Sequence, residues 1–169
     1  LAVTIMIIIS TFKTELLMKF VTPLFIVSFF LLAIVPIVGI EVKGAKRWID
    51  LYFFRFQPIE ILKPFFILMT AKILTFEQFQ HSKIKYIFSF MLLGSVVILL
   101  VNQPDLGQSI LLIGSWVAAV FISGVSLIYI FVIFLIFSIL LGSLLFLLPE
   151  KFGYIINRLI TFFDPSQGD

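Results

Sequence analysis

A chain of 169 residues that is 62% hydrophobic, only 12% charged and holds 22 phenylalanines is composed like a protein that crosses a bilayer several times, not like a soluble domain. Its formal charge of +3 is too small and too dispersed to argue for nucleic acid, so no nucleic-acid partner is expected. Zero cysteines exclude disulfides and thiolate metal sites, and the single histidine, His81, has no second histidine with which to form a zinc site.

About 20 apolar residues carry a helix across the hydrocarbon. Residues 1–12 read as the tail of a partial span that ends at Lys13-Thr14-Glu15, and the opening on Leu1 inside an apolar run reads as a fragment without a cleavable signal peptide. The first complete span is expected at 19–39, with Pro23 near its start and Pro36 near its end. After a loop at 40–57 the second covers 58–76 and opens on Gln57-Pro58-Ile59-Glu60. Proline at a first helical position loses no bond, and Glu60 suits the positive helix start, from which it can reach back to the cap. The connector FEQFQHSKIK leads to a third span at 84–101. A polar turn, Asn102 to Gly107, precedes a fourth at 108–124, and a fifth at 127–148 carries no charge. Pro149-Glu150-Lys151 ends it, and 149–169 opens a larger loop in which 152–163 has the spacing of an interfacial helix.

These segments predict an all-α, polytopic integral membrane helix bundle with five full spans and one partial one, because lipid requires every backbone group to be paired within the segment. The runs lack the period of two that strands would show. Small residues on the fourth span (Gly114, Ser115, Ala118, Ala119) predict close packing there. Alternation puts the loops 40–57, 102–107 and 149–169 on one side, and Lys13, Lys19, Lys83 and Lys85 on the other, with Lys72 snorkelling toward the latter. The count of basic residues weakly favours a cytoplasmic 40–57 loop.

The densest chemistry lies between Lys43 and Lys63, KGAKRWIDLYFFRFQPIEILK, where Lys43, Lys46, Arg47 and Arg55 fall within thirteen positions. Charge that dense between two spans is costly unless it binds something. It suits either the heads of anionic membrane lipids or a phosphate gripped by a guanidinium fork and ammonium charges. Trp48 reads as an interface anchor or a platform for a sugar. Glu60 and Lys63 share a helix face, as a salt bridge, as reacting groups, or as both, and Pro64 beside them predicts a kink. Asp105, followed by Gly107, either caps the next helix or touches a substrate, and Asp164-Pro165 reads as a turn.

Taken in order, GAKRWIDLYFFRFQPIEILK, NQPDLGQSIL and RLITFFDPSQGD resemble successive signatures of the shape, elongation, division and sporulation (SEDS) family, whose members include FtsW and RodA. The Glu-Val-Lys-Gly-Ala entry, the Lys63-Pro64 pair and the Asp-Pro-Ser-x-Gly-Asp ending are closer to the FtsW branch. The resemblance implies about ten helices in the complete protein, in the bacterial inner (plasma) membrane, with the basic loop and the Asp-Pro loop facing outward against the charge count. It implies a peptidoglycan glycosyltransferase that polymerises lipid II during wall synthesis and division. Its partners would be a class B penicillin-binding protein and other division proteins.

On that resemblance Lys43, Lys46, Arg47, Trp48, Gln57, Glu60, Lys63, Gln103 and Asp105 become substrate-binding candidates. Asp169 aligns with the outer-loop aspartate proposed as catalytic base. A carboxylate would take the proton of the acceptor 4-hydroxyl while cations stabilise the departing undecaprenyl pyrophosphate. A divalent cation could share that role, though no ligand cluster specifies one. Two other classes stay open. A lipid II flippase would want ionisable groups through the bilayer middle, which 84–148 lacks away from the span ends apart from Lys85, and a non-catalytic membrane scaffold of the division machinery would tolerate replacement of its loop charges without loss of growth. The chain departs from the family pattern at Ile59, where serine is usual, and at Tyr52, where glycine is common, so the loop is expected to turn differently there.

Overall fold

The computed structural model describes residues 11–42, 45–76 and 83–147. The expected partial span at 1–12 lies almost wholly outside these residues. So do Lys43, His81 and the whole loop at 149–169 with Asp164 and Asp169. The chain divides into two compact units, Leu1–Gly124 and Val125–Asp169.

In the first unit four helices follow the apolar runs: α1 Thr14–Val38, α2 Pro58–Leu74, α3 Ile84–Asn102 and α4 Leu106–Ile122. Helix α1 starts earlier than expected, since Thr14 and Glu15 join its first turn, where a carboxylate meets the positive helix end. Each helix buries a stripe spaced by threes and fours: Val21, Phe25, Ser28, Leu32 and Val35 on α1, and Ile59, Leu62, Phe66, Thr70 and Leu74 on α2. The stripes on α3 (Ser89, Leu93, Val96, Leu100) and α4 (Ser109, Leu112, Trp116, Val120) complete the core, and α2 packs against the other three helices.

The outward faces stay apolar, with Phe30, Ile98 and Ile110 all exposed, as suits contact with lipid rather than water. Serine hydroxyls on these helices turn back to their own backbone: Ser28 donates to Leu24 O at 2.7 Å and Ser109 to Asp105 O at 2.9 Å. Helices α1 and α3 are long and apolar enough to cross a membrane, and α4 is a shorter apolar helix. In the second unit α5, Leu127–Leu147, is apolar on every side. Among the described residues a helix lies at each of the five long apolar runs.

The loop at 40–57 corrects the all-α expectation. It folds into a three-stranded antiparallel meander, β1 Ile40–Val42, β2 Ala45–Asp50 and β3 Arg55–Phe56. The sequence Ala-Lys-Arg-Trp-Ile-Asp alternates, with Lys46, Trp48 and Asp50 exposed and Ala45, Arg47 and Ile49 turned inward. Trp48 pairs with Ile40, whereas Glu41 pairs with Lys46, so Arg47 is an extra residue at a bulge. Gly39 allows this sheet to close on α1. A Cβ there would stand 2.5 Å from Val35 O and 3.3 Å from Trp48 O.

Tyr52 corrects a second expectation. It keeps a glycine-type backbone, φ 65°, so the loop turns as a glycine would turn it. The Asp50 carboxylate accepts the Tyr52 N–H at 2.9 Å and Arg55 Nε at 2.8 Å, which holds the tip in that shape.

Candidate functional site

The end of α1, the sheet, the start of α2 and the α3–α4 turn meet at one end of the bundle, and the turn residues 103–105 are the hub. The hub begins with a proline. Pro36 has no N–H, so Leu32 O on α1 loses its normal helical donor. The buried Gln103 side chain replaces it, with Nε2 donating to Leu32 O at 3.0 Å. The Gln103 backbone carbonyl in turn accepts Arg47 Nε at 3.1 Å, and Arg47 Nη2 donates to Pro104 O. Arg47 Nη1 lies 3.7 Å from Asp105 Oδ1. The alternation of β2 turns this arginine inward, and the bulge leaves it without a partner residue on β1.

Asp105 precedes α4, but its side chain makes no cap bond to that helix, contrary to one sequence reading. Its carboxylate instead accepts Gln57 Nε2 at 3.0 Å, from the residue before α2, while its backbone N–H donates to Leu100 O at 2.9 Å. With an 8% exposed side chain it would be a costly buried charge without Arg47 and Gln57 around it. Four of the sequence candidates, Arg47, Gln57, Gln103 and Asp105, therefore bond to one another and to α1.

Two more stand beside them. Glu60 does not reach back to the cap at Gln57; one of its oxygens lies 2.7 Å from Lys63 Nζ and the other accepts Gln108 Nε2 at 3.0 Å. The half-exposed Glu60 and the partly exposed Lys63 form a zwitterionic edge at the mouth of the site. Pro64 removes the donor that would have met the Glu60 carbonyl, and α2 continues through it. Lys46 and Trp48 face out on β2, clear of the Arg47 network. On the same sheet Asp50 is held below the ordinary carboxylate range, chiefly by the Arg55 guanidinium and next by the Tyr52 N–H.

Sequence reasoning missed Gln108, the Leu32 carbonyl and Asp50. A polar residue in the first turn of an apolar helix, and a proline four residues after Leu32, were the available signals. Lys72, expected to snorkel toward the side of Lys13 and Lys19, donates to Thr22 Oγ1 at 2.8 Å and Met18 O at 3.3 Å, acceptors that α1 supplies from alongside. An apolar cavity of about 530 Å³, lined by Met69, Lys72, Phe88 and Met91 among others, lies at that opposite end of the bundle. Among the described residues no three histidine, aspartate or glutamate side chains converge as a metal site, and the Glu60 oxygens are already paired.

An apolar helix bundle that carries a polar clamp at one end, with a carboxylate and ammonium pair beside it, has the make-up of a membrane protein with a polar candidate site. The chain belongs to the FtsW–RodA–SpoVE family of cell cycle proteins, whose family model matches residues 1–168. It is 35% identical over 145 residues to a probable peptidoglycan glycosyltransferase FtsW of Thiomicrospira cyclica, a match covering 85% of this chain and 36% of that protein. To the protein of the same description in Idiomarina loihiensis it is 32% identical, over 85% of this chain and 35% of the relative. The chain thus spans about a third of the length of these relatives.

Among solved structures it is similar to a chain of a peptidoglycan synthase complex that coordinates polymerization and crosslinking. The TM-score there is 0.77 at 29% identity, over 95% of this chain and 47% of that one. It is also similar to the rod shape determining protein RodA of Thermus thermophilus, with TM-score 0.64 and 29% identity over 79% of this chain and 44% of RodA.

Proposed function

We propose that the protein is a multi-pass bacterial inner-membrane glycosyltransferase that polymerises lipid II into peptidoglycan strands. In this reading it faces the site outward and works beside a class B penicillin-binding protein and other division proteins. One observation carries the reading: three segments far apart in the sequence converge on one polar, charged end of an otherwise apolar bundle, in a chain of this family. The FtsW relatives and the peptidoglycan synthase complex support it.

The roles divide by exposure. Arg47, Gln57, Gln103 and Asp105 hold the frame, because their polar atoms are already bonded to one another or to α1. The exposed Lys46, with Lys43 three residues before it in sequence, is offered to a pyrophosphate or sugar, the partly exposed Glu60–Lys63 pair can exchange its mutual contact for one to substrate, and the exposed Trp48 offers a ring face. Lysine ammonium groups suit the charge that develops on a leaving pyrophosphate. Asp169 is the proposed base for the acceptor hydroxyl, a proton transfer that contributes typically about a hundred- to ten-thousand-fold.

Polymerisation of purified lipid II by the full-length protein tests this. Asp169→Asn should abolish glycan synthesis and leave lipid II binding intact, and Glu60→Gln should weaken synthesis without loss of fold. Unchanged synthesis in both variants would remove this end of the bundle from the chemistry.

A further inference from the structure

The tip of the β2–β3 hairpin is the most exposed apolar segment of the sheet. Leu51, Tyr52, Phe53 and Phe54 are 46%, 101%, 96% and 59% exposed, and none carries a charge. Tyr52 takes the left-handed φ of 65° there, a steric cost that glycine would avoid. A tyrosine ring that stood wholly in water would return nothing against that cost. Nothing in the clamp uses these four side chains. We propose that this tip is an interfacial anchor, inserted among the headgroups of the bilayer leaflet at the same end of the bundle.

Strand register fixes its height. Trp48 pairs with Ile40, two residues past the end of α1, and Ile49 pairs with Phe56, two residues before α2 begins. The tip therefore leaves the sheet level with two helix ends. Phe54 is four residues from Pro58, no more than about 14 Å by chain length. The Leu51 N–H, which donates to Phe54 O at 3.1 Å, closes the turn and keeps it short. That tether is long enough to let the tip lie along the headgroup layer, about 5–8 Å deep on each face of the hydrocarbon, beside a helix end.

The chemistry fits this layer better than a soluble partner. Aromatic rings with one phenol are the side chains that settle where one end is apolar and the other wet. The neck behind the tip is a closed, exposed Asp50–Arg55 ion pair at 2.8 Å, which suits headgroup level and adds no net charge. Lys46, exposed on the same face of β2 as Trp48, supplies a cation complementary to lipid phosphate. The anchor would hold the sheet, and Arg47 with it, at a fixed depth. It does not depend on what reaction the site performs.

The test is spin labelling. These 169 residues hold no cysteine; with any cysteine elsewhere in the full-length protein replaced by serine, Phe53→Cys, or Tyr52→Cys as a second attachment point, carries the single nitroxide. The full-length protein is reconstituted in phosphatidylglycerol–phosphatidylethanolamine vesicles, and the collision of the label with oxygen is compared with that of a water-soluble nickel chelate. The oxygen-to-nickel ratio should be several-fold higher at both tip positions than at Glu41→Cys, an exposed position on β1. Free access for nickel would place the tip in water and overturn the proposal. Protection from both reagents would mean that protein covers it, and would overturn it equally.

Discussion

Removing the Arg47 guanidinium is expected to loosen the whole site rather than delete one substrate contact. In place, it satisfies two backbone carbonyls, those of Gln103 and Pro104, and stands 3.7 Å from a carboxylate that is 8% exposed. At that distance and an effective dielectric near 20 the gross attraction is about 4 kcal/mol, before the cost of desolvating both groups. Taking one partner from a buried pair costs about 3–5 kcal/mol, because the other charge stays behind. Arg47→Ala should lose that much, and Arg47→Lys should recover only part, since an ammonium cannot fork across two carbonyls and a carboxylate. Asp105→Asn keeps an oxygen for Gln57 and should cost about 1.5–3 kcal/mol. The double variant should then cost clearly less than the sum of the two. Reversible unfolding of the full-length protein in bicelles measures all of these. Additivity within about 0.5 kcal/mol would mean the two groups do not act as a pair. An Arg47→Ala protein as stable as the parent but unable to polymerise would put the guanidinium on substrate, and the reasoning above would fail.

Gln103→Leu should cost about 1–3 kcal/mol through the orphaned Leu32 carbonyl, and Pro36→Ala in the same protein should return most of it by restoring a helical N–H; no rescue would show that the carbonyl is not the cause. Asp50 has a lowered folded pKa, so the stability it lends the hairpin is present above its unfolded value of 3.8 and is lost as pH falls through the lower folded one. A nitroxide at Phe53 should accordingly keep one line shape from neutral pH down to that value and loosen below it, whereas Asp50→Asn should be loose and flat throughout. At Tyr52, glycine should be more stable than alanine by about 1 kcal/mol in the same unfolding assay, because only alanine keeps the left-handed cost; equal stabilities would mean the φ of 65° is not retained.

The helices were legible because lipid leaves the backbone one solution and the apolar runs mark where it applies. Their ends were less so: Thr14 and Glu15 read as a connector, yet their polarity is what a helix start at the membrane surface accepts. The residues of the site were legible as a set, since Arg47, Gln57, Gln103 and Asp105 all stood out as polar groups in apolar surroundings. Their partners were not, because which polar atoms bond to which depends on contacts 48 to 71 positions apart. The meander escaped notice because six residues of alternation at β2 are short beside spans of twenty, and the middle one of its three inward-facing residues is an arginine. The loop at 40–57 was read from its charges, and its strands form through backbone pairing that charge does not report.

Pro36 and Gln103 also constrain how this protein can change over generations. Because one leaves the Leu32 carbonyl bare and the other covers it, neither position is free to drift alone. A lineage that lost Gln103 first would pass through a weakened intermediate, whereas one that first exchanged Pro36 for a residue with an N–H would make the glutamine dispensable at that contact. The order of the two substitutions should therefore be readable in descent, with helix-restoring replacements at 36 preceding apolar ones at 103.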